Sequence, residues 1–208
     1  MTLSEDPSAG GLVRAPLDEL EWMLTRCDEL SRDSSDPRLA AAMEAAARPR
    51  CRLEIHMGNT RARCWVDRRA AALLVPRPTG ESELWMLAAG AAPAALAAML
   101  ELGPSAPAKA GARVPATSLA ALLAGPDGQV PLRTDVDPWL RTALSRLRAH
   151  WRVDSRWSGE NPQVHRCVEA IDCADGLWLV APDGSDVLLE PAHTADLWRG
   201  LAALFPRA

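Results

Sequence analysis

"CRLEIHMGNTRARCWV", residues 51–66, is the stretch whose reading decides the fold. Gly58–Asn59 predicts a two-residue hairpin turn, because the tight turns that match strand twist need backbone angles that Gly and Asn adopt readily. With that turn, Met57 faces Thr60, Ile55 faces Ala62, Leu53 faces Cys64 and Cys51 faces Val66. These eight share one face, and most are apolar. The opposite face pairs His56 with Arg61, Glu54 with Arg63 and Arg52 with Trp65, an ion pair and a cation–π contact each worth ~0.2–1 kcal/mol. A one-residue slip would turn the polar set into the core, so the register is well specified.

Upstream, residues 1–16 are expected to be disordered. "LDELEWMLTRCDEL" sets Leu17, Leu20, Met23 or Leu24, and Cys27 at helical spacing, with Asp18, Glu19 and Glu21 near the positive end of the dipole. "DSSDP" breaks this helix. Asp36–Pro37 then supplies a cap and first helical position for "RLAAAMEAAA", which Pro49 closes. Downstream, strands are expected near Ala71–Val75 and Leu84–Leu87 around the turn "RPTGES". A helix follows from about Pro93 to Leu102, stopped by Gly103–Pro104. "SAPAKAGARVPA", 105–116, is a linker by composition. "TSLAALLAG" reads as a short helix. So does "DVDPWLRTALSRLRAH", capped by Asp137, with a stripe of Trp139/Leu140, Ala143/Leu144 and Leu147.

The same order then returns. "WRVDSRW" alternates, burying Trp151, Val153 and Trp157. "VHRCVEAI" changes phase between Val164 and Val168, as at a bulge. "GLWLVA", the turn "PDGS" and "DVLLE" form a hairpin. A last helix after Pro191 carries Leu197, Leu201 and Leu204 inward. Residues 51–104 and 149–206 thus share hairpin, strand, turn, strand, Pro and amphipathic helix, each set preceded by helices. The expected fold class is α+β with antiparallel β-sheet and a quasi-twofold internal repeat (hairpin-strand-strand-helix twice). It forms a single pseudo-symmetric domain over 17–208, with halves of about 17–104 and 105–208. Convergent βα patterning is the alternative source of this likeness.

The composition suits a globular chain: of 208 residues, 48% are hydrophobic and 24% charged. A net charge of −4, with arginines spread along the chain, gives no cationic face for nucleic acid. Lys109 is the only lysine and tyrosine is absent, a bias that fits GC-rich codon usage. No run approaches the ~20 apolar residues of a membrane span. "MTLSEDPSAGG" is too polar for a signal peptide. The odd set Cys27, Cys51, Cys64, Cys167 and Cys173 is therefore expected to be reduced, in a cytoplasmic protein.

Motifs for chemistry are missing: the sequence has no G-x-G-x-x-G after a strand, P-loop, G-x-S-x-G or H-E-x-x-H. His165, Cys167 and Cys173 lack zinc spacing, and "DCADG" and "PDGSD" lack the ligand pattern of a calcium loop. Cys64 and His56 fall on opposite faces of the hairpin. His150 and His193 sit at element boundaries, where solvated or capping roles are expected. No metal, cofactor or catalytic residue is assigned. Eight tryptophans stand out. Most are expected to pack in the core, but Trp65 with Arg63, and Trp178, are assigned as partner-binding residues, because aromatic and Arg side chains dominate interface hot spots.

"LDELEWML", "RCRLEIHM" and "AALLVPRP…ELWML…PAALAAMLELGP", with "WRVDSRW…DGLWLVAPDGSDVLLEPAHTADLWRGLAALFP" in the second half, resemble the EspG family. That family comprises cytoplasmic chaperones of the ESX, or type VII, secretion systems of actinobacteria. The resemblance implies a central antiparallel sheet flanked by helical bundles with quasi-twofold symmetry, no enzymatic activity, and a secretion substrate as partner, a PE–PPE-like heterodimer or a WxG-type protein. It fixes no individual binding residue. The alternatives are a motif-free small-molecule enzyme and a homodimeric scaffold.

Overall fold

The structure is a computed structural model and describes residues 2–6, 10–78, 80–124, 136–158 and 165–206. In chain order the elements are β1 (Thr2–Asp6), β2 (Gly10–Ala15), α1 (Leu17–Thr25), α2 (Cys27–Asp33), α3 (Pro37–Ala47), β3 (Cys51–Met57), β4 (Thr60–Val66), β5 (Ala70–Val75) and β6 (Ser82–Ala88). A 3₁₀ turn at Ala89–Ala91 leads into α4 (Ala92–Met99). Then come β7 (Ala112–Pro115), α5 (Ala116–Leu123), α6 (Pro138–Leu144), β8 (Leu147–Trp157), β9 (His165–Cys173), β10 (Gly176–Asp183), β11 (Asp186–Pro191) and α7 (Thr194–Ala202).

Two compact units divide these elements. The first holds Met1–Glu101, Val153–Cys167 and Leu201–Ala208; the second holds Leu102–Arg152 and Val168–Gly200. Neither unit is one continuous stretch, because β8, β9 and the final helix each change unit along their length.

The hairpin of β3 and β4 carries the register expected from Gly58–Asn59, from Cys51↔Val66 through Met57↔Thr60. Gly58 has φ 53°, which a residue without Cβ adopts at no steric cost. From the edge inward, strands of the first unit run β1-β2-β6-β5-β4-β3, and those of the second run β7-β11-β10-β9-β8. The pairings described between named strands are antiparallel. All six residues of β5 are buried, so this strand has cover on both faces. On one face Val13, Ala72, Leu74, Leu84 and Met86 pack with Leu20 and Met23 of α1 and Leu39, Ala42 and Met43 of α3. Asp36 caps α3 as expected, its carboxylate accepting from Arg38 N–H at 2.8 Å, with Pro37 at the first turn. In the second unit Ile171, Cys173, Trp178, Leu189 and Val114 pack with Leu119 of α5 and Leu140 and Leu144 of α6.

Three expectations are corrected. Residues 1–16 are not wholly disordered: 2–6 and 10–15 are strands, and β2 pairs with β6 so that Val13 meets Leu84 with both fully buried. The burial of Val13 and Ala15, alternate residues of a short polar-flanked run, outweighs the turn-forming composition around it. The linker at 105–116 contains β7, which pairs with β11 from Leu189↔Ala112 to Asp186↔Pro115. The helix expected through 150 ends at Leu144, and β8 begins at Leu147. The alternation of Trp151, Val153 and Ser155 into the core marks the strand, which extends upstream over the helical stripe. The bulge expected between Val164 and Val168 lies partly outside the described residues.

Candidate partner-binding surface

Helix α1 buries Leu20 and Met23, which leaves the opposite side of its turns to solvent. Trp22 falls there and is 52% exposed, the most exposed of the large apolar side chains described. Four residues on, one helical turn away, Arg26 lies over its ring at 4.9 Å and also pairs with Glu29. Glu21, next to Trp22, reaches β4: its carboxylate accepts from Arg63 Nη2 at 2.6 Å. The Arg63 guanidinium lies 5.5 Å over Trp65 on the same strand. Glu21, Arg63 and Trp65 are thereby linked in one chain of contacts from α1 to β4, and the Trp22–Arg26 stack adjoins it in sequence on α1.

Two of the three residues assigned from sequence belong to this chain, with differences. Trp65 is half-buried and packs against the α1–α3 core as well as under Arg63. Arg63 pairs with Glu21, and the cross-strand partner Glu54 turns instead to Arg61 at 2.5 Å. That hydrogen bond holds the Glu54 carboxyl below the usual range. The expected contact of Arg52 with Trp65 is replaced by Arg63, which reaches the ring along the strand. The third residue is corrected. Trp178 is 1% exposed, packs in the core of the second unit and donates its indole N–H to Ala110 O at 2.8 Å, so it offers nothing to a partner. Trp22, by contrast, went unassigned. Its signal was present: a tryptophan off the stripe of Leu20 and Met23, with an arginine at i+4.

Reactive chemistry is sparse. Among the described residues Cys27, Cys51, Cys64 and Cys173 form no disulfide. Burial pushes the thiols of Cys51 and Cys64 up, and that of Cys173 up to about 11, so these three are held as weakly acidic core side chains. His56 and Cys64 fall at opposite-facing register positions, as the hairpin reading required. His150 does not stand free at a boundary: its Nε2 lies 2.9 Å from Glu169 Oε1, and Arg152 reaches the other oxygen at 3.3 Å. His193 is exposed just before α7, where its backbone N–H donates to Asp196 Oδ2 at 2.9 Å. Among the described residues no group of three or more His, Cys, Asp or Glu is placed to hold a metal ion. No helix among them is long and apolar enough to cross a membrane.

No protein-family model matches the chain, and no curated protein matches it in sequence. Among solved structures 14 chains match. One is the type VII secretion system chaperone EspG5 of Mycobacterium tuberculosis, solved in complex with a PE25–PPE41 dimer. The likeness to it has a TM-score of 0.57 at 14% identity and covers 95% of this chain and 98% of that one. At this identity the likeness is one of fold.

Proposed function

We propose that the protein is a cytoplasmic, secretion-associated chaperone or adaptor that binds a type VII substrate, a PE–PPE-like heterodimer or a WxG-type protein. Binding covers an apolar surface of the client and needs no nucleotide, metal or catalytic group; each Å² of apolar area removed from water stabilises the complex by ~25 cal/mol. The observation that carries this reading is the fold likeness to EspG5 over nearly the whole of both chains. The Trp22–Arg26 stack and the Glu21–Arg63–Trp65 chain supply residue types that anchor protein interfaces, and we assign them to client contact.

The reading includes a quasi-twofold repeat. Setting Leu84 equivalent to Leu189, the registers make Arg14–Ala15–Pro16 equivalent to Arg113–Val114–Pro115, and Leu74 to Val180. They likewise make Ala72 equivalent to Trp178 and Trp65 to Ile171. In each unit a tryptophan sits beside a smaller neighbour on the next strand, with the indole carried by β4 in one and by β10 in the other. One indole at the paired position of each unit supports a common origin of the two.

Coexpression tests the function. With its client, the protein should copurify as a complex and raise the client's soluble yield. If a panel of PE–PPE-like heterodimers and WxG-type pairs gives no copurification at micromolar concentration, the reading is wrong.

A further inference from the structure

A cleft of about 390 Å³ opens in the first unit, where β8 ends, β9 begins and the chain leaves α7. Arg50, Trp157, Ser158 and Arg166 form its polar side; Phe205 and Pro206, with the methyl groups of Ala202 and Ala203, form an apolar wall. Most of the polar groups here are already committed. Trp157 donates its indole N–H to Ser155 Oγ at 3.0 Å and to Leu204 O at 2.9 Å. Arg166 lies 4.6 Å over the Trp157 ring and donates from Nη1 to Ala203 O at 2.6 Å, which fixes its guanidinium while leaving other N–H donors of its five.

Arg50 differs. Its backbone is held, N–H to Val66 O at 2.8 Å and C=O from Ser158 N–H at 2.7 Å, but its guanidinium meets no acceptor among the described residues. Elsewhere Arg14, Arg61, Arg63, Arg77 and Arg113 each reach a carboxylate. Here two arginines line one cleft, and none of its described lining residues is acidic. Like charges gathered without a counter-charge call for an anion.

We propose that this cleft binds a carboxylate carried on an apolar body. The guanidinium fork matches a planar carboxylate in two parallel hydrogen bonds, and Phe205 and Pro206 give the attached hydrocarbon a dry surface. A compact, fully hydrated phosphate would leave that wall unused. The same chemistry comes from a free aryl or alkyl carboxylic acid, or from an acidic side chain beside an apolar one in a peptide. The inference stands on the cleft alone and does not depend on the chaperone reading.

Amide chemical shifts in ¹H–¹⁵N spectra of the full chain test it with four probes: 3-phenylpropionate, 3-phenylpropanamide, acetate and the dipeptide N-acetyl-Glu-Phe-amide. Saturable shifts at Ser158 and Phe205 are expected with phenylpropionate or the dipeptide. The tighter of the two tells whether the natural ligand is a free acid or a peptide. Arg50→Gln, which breaks no hydrogen bond of the fold, should weaken binding by about tenfold. Equal binding of the neutral amide would reduce the cleft to an apolar dent. Acetate binding as tightly as phenylpropionate would make the site one for adventitious anions. Unchanged affinity in Arg50→Gln, or no saturable shift with any probe, would equally overturn the proposal.

Discussion

Trp178 packs among Ile171, Cys173 and Leu189 with its indole N–H on a backbone carbonyl, so removing the ring opens a cavity and orphans an acceptor. Trp178→Ala should cost about 3–5 kcal/mol in urea unfolding. A loss below about 1 kcal/mol would contradict its burial. Trp22→Ala and Arg63→Ala should behave oppositely, each costing less than about 1 kcal/mol because a solvent-exposed cation–π stack or ion pair stabilises the fold only weakly. If the assignment to client contact holds, each should weaken the complex by roughly thirtyfold, the scale of an interface hot spot. Wild-type affinity in both variants would remove this surface from consideration. The two tryptophans show what alternation can and cannot reveal. In β10 it separates Trp178 from Leu177 and Leu179, but Leu177 and Trp178 are both fully buried, and a strand covered on both faces looks from sequence like one with a bare face. In α1 the helical period does separate covered from open, and Trp22 is on the open side.

Between elements, Glu83 on β6 is the tie that Arg14 of β2 and Arg77, just after β5, share. Arg14 reaches it from β2 at 3.3 Å, Arg77 at 2.7 Å and the Trp85 indole at 3.1 Å, and its side chain is only 12% exposed. Burial alone would push its carboxyl up, but the hydrogen bonds from Arg77 and Trp85, with the charges of Arg77 and Arg14, outweigh burial and hold it below the usual glutamate range. A carboxyl depressed by folding contributes stability that is present above its unfolded value and disappears as pH falls through the folded one. Glu83→Gln should therefore lower stability at pH 7 by about 1–3 kcal/mol. The gap from wild type should close on acidification, as Glu83 itself becomes neutral; a gap independent of pH would contradict the ionised network. Deleting residues 1–15 tests the edge. It exposes the sheet face that Val13 covers and should cost at least ~2 kcal/mol, whereas a disordered tail would cost nothing measurable.

The elements divide by legibility in a physical way. The 51–66 hairpin could be read to the residue because a tight turn fixes register locally. The short strands β2, next to one edge, and β7, at the other, could not. Four to six residues of weak alternation acquire strand identity only from β6 and β11, partners about seventy residues away in sequence. The arginine partners were equally hidden, since Arg63 finds Glu21 across the fold rather than Glu54 across the ladder.

At the scale of the whole molecule, the function we propose rests on surface rather than on reactive chemistry. The thiols of Cys64 and Cys173 are buried and their pKa raised, His150 is paired with Glu169, His193 is exposed just before α7, and two aromatic–arginine pairs lie on α1 and β4. In the function we propose, fold likeness to EspG5 gives that surface a client class. Light scattering on size-exclusion peaks measures the central claim most directly. Mixed with its PE–PPE-like client, the wild-type chain should elute at the summed mass of all three chains, and the Trp22→Ala/Arg63→Ala double variant, equally folded, should elute apart from it. Wild-type protein that remains at its own mass beside every such client would contradict the account.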